Sequence, residues 1–158
     1  MGEDLHPQAR AAIARRSDEA LPQSHALSIA TYREQFRESL IAQSNESVEA
    51  IRDFDIPGPR SDIPIRVYHP GGEDSLPVVA FFHGGGWVLG DLDCFDNLCT
   101  HLANRAGCIV VSVGYRRAPE HPFPAAAKDC YAATEWVAAN AADIGGDPDR
   151  VAVAGNSA

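Results

Sequence analysis

Two short stretches of this chain carry residue types suited to acyl transfer. The first is His83-Gly84-Gly85-Gly86-Trp87. Successive glycines reach backbone angles closed to other residues and let a ligand come close to the main chain. Exposed N–H groups in such a loop can face an anion or a developing oxyanion. A Walker-type phosphate loop would end in Gly-Lys-Ser/Thr and a dinucleotide loop would read G-x-G-x-x-G, and neither pattern is present. The second stretch is Gly155-Asn156-Ser157-Ala158. A serine between small residues, where a strand turns towards a helix, has its hydroxyl lifted above the sheet edge, as a nucleophile requires. Alone, a Gly-Asn-Ser-Ala end reads as a surface turn. Paired with the glycine loop, each after a buried-strand pattern, it points to a serine facing an oxyanion loop.

The elements that must position these residues follow from the apolar pattern. Residues 1–44 are helical in pattern: Pro7 suits an early helix position, and a second segment from about Ser24 to Gln43 places Ile29, Tyr32, Phe36, Leu40 and Ile41 at helical spacing. Ser24 or Ser28 is the candidate cap. From about Val48 the pattern changes to short strands. Glu49–Ile56 and Ile63–Tyr68 alternate and read as an antiparallel pair. The apolar runs Pro77–Phe82 and Cys108–Val113 are of the kind buried on both faces of a parallel sheet, and Arg150–Ala154 forms a further strand. Helices are expected over Asp96–Ala106, stopped by Gly107, and over Ala125–Ala142. The order predicts an α/β fold with an open, mostly parallel sheet.

At this point the sequence resembles the hormone-sensitive-lipase-like (microbial family IV) carboxylesterases of the α/β-hydrolase superfamily. The resemblance rests on His83-Gly84-Gly85-Gly86-Trp87, on Tyr115-Arg116 with Ala118-Pro119-Glu120-His121-Pro122-Phe123-Pro124-Ala125, and on Gly155-Asn156-Ser157-Ala158. It implies the amino-terminal half of an α/β-hydrolase sheet, with 1–44 a helical cap segment and 45–158 the first part of the catalytic domain. Ser157 is the implied nucleophile. The implied oxyanion hole consists of backbone N–H groups of Gly85 with Gly84 or Gly86, plus Ala158. Chain order in this class runs Ser, then Asp or Glu, then His, so both triad partners are expected beyond Ala158. The expected activity is hydrolysis of short-chain carboxylic esters through an acyl-enzyme, and residues 1–158 alone are expected to be neither active nor a stable monomer. Three departures stand out: Asn156 where the family usually has Asp, Gly114 for an Asp before Tyr115, and Phe95 for a His that often precedes Asp96.

His83 invites assignment as a general base, but its place in the glycine loop favours orienting that loop. Arg116, Glu120 and His121 read as braces of the proline-rich connection. Trp87 and Phe36 are candidates for an acyl pocket or for core packing. Three closely spaced prolines predict a cis bond at Ala118–Pro119 or Phe123–Pro124. A ligand-binding, non-catalytic member of the same fold is the alternative from another class.

Composition bounds the rest. With 158 residues and 45% apolar content, the chain can bury one medium-sized core. A net charge of −9 argues against nucleic acid as a partner. No apolar run approaches the roughly 18 residues of a membrane span. The acidic start without an apolar h-region is unlike a secretion signal. Four cysteines lack metal-ligand spacing and suit a reducing, cytoplasmic compartment. Neither a metal nor an organic cofactor is implied. The expected partner is a small-molecule ester, and the sequence is compatible with an oligomer.

Overall fold

The computed structural model describes residues 6–8, 10–11, 14, 28–41, 46–72 and 75–157. The chain forms two compact units, Met1–Tyr32 and Arg33–Ala158. In the first, Pro7, Gln8, Arg10, Ala11 and Ala14 are helical. Helix α1, Ile29–Ile41, crosses the divide. Its cap is Ser28, whose Oγ accepts the Thr31 N–H at 3.1 Å; Ser24 lies outside the described residues. The divide falls earlier than the change of pattern near residue 44, for a packing reason. Phe36 and Leu40, one turn apart, lie against the core of the second unit, so this part of the helix belongs with the sheet.

Five strands build that sheet: β1 Ala50–Ile56, β2 Ile63–His69, β3 Leu76–Phe82, β4 Ile109–Val113 and β5 Gly146–Gly155. Their spatial order is β1-β2-β4-β3-β5. The β1/β2 and β2/β4 pairs are antiparallel, whereas β3/β4 and β3/β5 are parallel. The sheet is therefore mixed, not mostly parallel. The chain reverses after His69, so β3 runs opposite to β2. The helical crossover from β3 then lays β4 parallel to β3 and between the two, which makes β4 antiparallel to β2.

Strand β4 is buried along its whole length, as its unbroken apolar run requires of a central strand. Its residues alternate between two cores. Ile109, Val111 and Val113 join Ile65, Val67, Val78 and Ala80 on one face, beneath Ala133 and Val137 of helix α3, Ala125–Asn140. Val110 joins Tyr68 and Phe81 on the other, beneath Cys99 and Ala103 of helix α2, Asp96–Ala106. Helix α2 ends at Gly107, as expected. All four cysteines are free thiols, and burial pushes the Cys99 thiol up to about 12. Among the described residues no helix is long and apolar enough to cross a membrane.

The proline-rich connection between β4 and α3 is held by charge. Both Ala118–Pro119 and Phe123–Pro124 are cis, as the proline spacing predicts. Arg116 donates through Nε and Nη2 to the two oxygens of Asp129 at 2.8 and 2.7 Å, and its backbone N–H adds a third bond at 3.0 Å. The Asp129 side chain is only 1% exposed. Removing one partner of a buried pair strands the other charge, so Arg116→Met should destabilise the protein by about 3–5 kcal/mol. Urea unfolding measures this; a loss below about 1 kcal/mol would mean that the pair behaves as a solvated surface bridge.

Candidate active site

Sheet register brings the two motifs together. In the parallel β3/β5 pair, Phe82 lies opposite Gly155. Both strands therefore end at the same level, and the residues that follow, His83-Gly84 and Asn156-Ser157, emerge side by side at the carboxyl edge. That edge is where open α/β sheets bind ligands. The junction is closed by a hydrogen bond from the Gly84 N–H to Asn156 Oδ1 at 2.8 Å. A Cβ on Gly84 would overlap the Asn156 carbonyl oxygen, so only glycine permits this approach. Ser157 is exposed and has φ +56°, in the left-handed region. A non-glycine residue held there marks local strain, the conformation expected of a serine at a sharp strand-end turn.

The glycine loop itself is a tight turn. The Gly85 carbonyl receives the N–H groups of Val88 and Leu89 at 3.2 and 2.9 Å. Gly85 has φ +130°, and a Cβ there would overlap the Leu89 carbonyl. Because Gly84 gives its N–H to Asn156, it cannot also serve an oxyanion, which narrows the expected donor pair to Gly85 and Gly86. Among the described residues neither of those two N–H groups has an acceptor. Ala158, the other expected donor, lies outside the described residues.

His83 forms the root of the loop and is 1% exposed. Its ring is stacked between Tyr115 and Phe95, with centroids 4.3 and 5.4 Å away. Nδ1 lies 3.0 Å from the Gly84 carbonyl; a carbonyl only accepts, so Nδ1 carries the proton. The Tyr115 hydroxyl donates to the His83 carbonyl. Burial lowers the His83 pKa and so favours the neutral ring.

Trp87 is 58% exposed. With Gly86, Ala118, His121 and Phe123 it lines an apolar cavity of about 360 Å³ next to the glycine loop. Phe36 is not brought there and packs against the second core instead. Ser157 opens on a different cavity of about 520 Å³, lined by Phe82, Cys130, Tyr131, Thr134 and Val153.

Three braces were not visible in the sequence as site residues: Arg33, Arg37 and Asp129. Arg33 pairs with Glu120, whose carboxyl is held down to about 2, chiefly by the Arg33 hydrogen bonds. The available signal was the i, i+4 spacing of Arg33 and Arg37 on the helix that carries Phe36 and Leu40.

The family described as alpha/beta hydrolase fold matches residues 79–158. Carboxylesterase NlhH of Mycobacterium tuberculosis is 58% identical over 99 residues, which is 62% of this chain and 31% of that protein. Ethyl acetate hydrolase of Pseudomonas putida is 38% identical over 149 residues, 90% of this chain and 46% of that protein. Among solved structures, a hyperthermophilic esterase from the archaeon Pyrobaculum calidifontis superposes with a TM-score of 0.87 at 42% identity, covering 96% of this chain and 49% of that one. The chain thus spans between about a third and a half of the length of these relatives.

The buried imidazole has a consequence for pH dependence. Burial depresses the folded-state pKa of His83 below its ordinary 6.5, so the unfolded chain binds the proton more readily. Its contribution to stability is complete above about pH 6.5 and is lost as pH falls towards the lower folded value. Melting temperature across this range should fall less steeply in His83→Phe, which keeps an aromatic ring in the stack, than in the parent. Equal slopes would show that His83 does not titrate on unfolding.

Proposed function

Because this chain belongs to the α/β-hydrolase fold, among the hormone-sensitive-lipase-like carboxylesterases, we propose that it supplies the nucleophile and oxyanion donors of a serine carboxylesterase. The observation that carries this reading is the pairing of Phe82 with Gly155, which sets Ser157 beside a glycine loop in which two amides have no acceptor among the described residues.

The reaction is two-step acyl transfer. Ser157 Oγ attacks the ester carbonyl as a histidine base takes its proton. The N–H groups of Gly85 and Gly86, joined by that of Ala158, receive the negative charge on the carbonyl oxygen. The same histidine returns the proton to the departing alcohol, and water then releases the acid. This histidine and its Asp or Glu partner follow Ser157 in the chain order of the class. His83 is not the base, since its Nδ1 proton is engaged by Gly84 and its ring is enclosed. No step calls for a metal or an organic cofactor.

The substrate is a small carboxylic ester. The name of the Pseudomonas putida relative, ethyl acetate hydrolase, supports a short acyl group. Trp87 contributes to the acyl pocket. Four free thiols support a reducing, cytoplasmic setting.

Two substitutions test the mechanism in a protein that carries this chain with the residues completing its catalytic domain. Ser157→Ala should abolish hydrolysis of p-nitrophenyl butyrate while the melting temperature stays near the parent's. Activity within a few-fold of the parent would remove Ser157 as nucleophile. Gly85→Val should lower kcat by roughly 10²–10³, the loss typical of one oxyanion donor, because a β-branched residue does not tolerate this backbone. A rise in KM with unchanged kcat would instead mark the loop as binding surface.

A further inference from the structure

Arg33 is far from both motifs in sequence, yet its guanidinium grips the outer side of the glycine loop. Nε donates to the Val88 carbonyl at 2.8 Å, and Nη2 donates to the Ala118 carbonyl at 2.8 Å. Nη1 and Nη2 also reach Glu120 Oε1 and Oε2, each at 2.8 Å. Four of the five N–H donors of the fork are therefore engaged, and the paired carboxylate keeps its plane fixed.

The two carbonyls lie where the loop needs holding. Val88 closes the turn that opens at Gly85, by donating its own N–H to the Gly85 carbonyl at 3.2 Å. Trp87, just before it, has its carbonyl engaged by the Ala118 N–H at 2.9 Å. Arg33 thus joins the outer limb of the glycine loop to the cis-proline loop, and both to α1. One helical turn on, Arg37 donates to Asp91 Oδ2 and Asp93 Oδ2 at 2.7 and 2.5 Å, where the same loop returns towards α2. On the inner side the only tie to the nucleophile turn among the described residues is the Gly84–Asn156 bond. Between these anchors lie Gly85 and Gly86, whose intrinsic stiffness is low.

We propose that Arg33 is a positioning residue for the oxyanion hole. It fixes the outer limb of the glycine loop so that the Gly85 and Gly86 amides are aimed before substrate arrives. This rests on reading those amides as the oxyanion donors. Donors of this kind act through preorganisation, so a loop free to shift loses transition-state stabilisation before it loses substrate binding. Lysine cannot replace the fork. A single ammonium group lacks the planar spread needed to meet Val88, Ala118 and both oxygens of Glu120 together.

The test uses Arg33→Ala, Arg33→Lys, Glu120→Gln and Ser157→Ala in a protein carrying this chain with the residues completing its catalytic domain. The readouts are kcat and KM for p-nitrophenyl butyrate, melting temperature, and the rate of inactivation by an aryl phosphonate, whose phosphoryl oxygen occupies the oxyanion position. Both Arg33 variants should lose roughly 10- to 100-fold in kcat, the scale of a misplaced catalytic group, with phosphonate inactivation slowed in step. KM should stay within about threefold of the parent, because substrate binding is not what Arg33 supplies. Added guanidinium chloride, below denaturing concentration, should restore part of the Arg33→Ala activity and none of the Arg33→Lys activity. Parental kcat in Arg33→Ala, a loss confined to KM, or a loss that guanidinium does not relieve overturns the positioning role. If Arg33→Ala does not fold, Glu120→Gln decides. A lower kcat at the parental melting temperature supports the proposal, and an unchanged kcat overturns it. Ser157→Ala separates the two levels of the argument. If it retains activity, both the serine mechanism and the role of Arg33 fall; if it is inactive while Arg33→Ala matches the parent, only the role of Arg33 falls.

Discussion

The register of β5 on β3 is the constraint from which the site follows. Because Phe82 faces Gly155 in a parallel pair, two loops distant in sequence leave the sheet at one level and can bond directly. A slip of one residue would turn every side chain of β5 to the opposite face and carry Asn156 away from Gly84. The hydrogen bond between them needs an acceptor oxygen at position 156 and no side chain at position 84. Asn156 meets the first condition without a charge. The acceptor is an amide oxygen at 2.8 Å, so replacing the family's usual Asp keeps the bond and removes only its ionic part.

A second departure from the family pattern is absorbed in the same way. Phe95 stacks on His83 from the side opposite Tyr115. The enclosure is apolar, which favours the neutral imidazole that the Nδ1–Gly84 contact uses. A charged ring here would bury two donors, and among the described residues Nε2 has no partner. The root of the loop is therefore fixed by stacking, by the Nδ1–Gly84 bond and by the Tyr115 hydroxyl on the His83 carbonyl, and the ring contributes no titrating group to the mechanism.

What the sequence disclosed and what it concealed divide along the range of the interactions. Strands β3 and β4 were legible as apolar runs, α2 as a periodic helix with its stop at Gly107, and the two motifs as residue types in local order. These features depend on neighbours in sequence. The mixed sheet was not legible, because strand direction depends on where a crossover lands. The attachment of α1 was hidden for a related reason. Phe36 and Leu40 make the same amphipathic stripe whether they face a cap or a core, and Arg33 and Arg37 look like an ordinary solvated face. Their partners, Val88, Asp91 and Glu120, lie on loops whose positions only the folded sheet determines. The buried Asp129 sits in an alanine-rich helix with nothing local to mark its bond to Arg116.

The concealed contacts share one chemistry. Of the thirteen basic residues, only Lys128 is a lysine and twelve are arginines. Four of these arginines, Arg33, Arg52, Arg117 and Arg150, bind main-chain carbonyls. Arg33 takes the carbonyls of Val88 and Ala118, Arg117 that of Gly90, Arg150 that of Ser75 and Arg52 that of Ile144. Arg116 instead takes the carboxylate of Asp129. A loop at the carboxyl edge of a sheet has main-chain carbonyls that no strand or helix will pair. Water can satisfy them, but water does not fix a conformation. A guanidinium satisfies several at once, stays charged at every accessible pH and leaves its plane to be set by a carboxylate. The glycine loop must be free of side chains to admit a substrate and yet rigid enough to aim its amides. Placing the stiffness in arginines that approach from outside the loop meets both demands together.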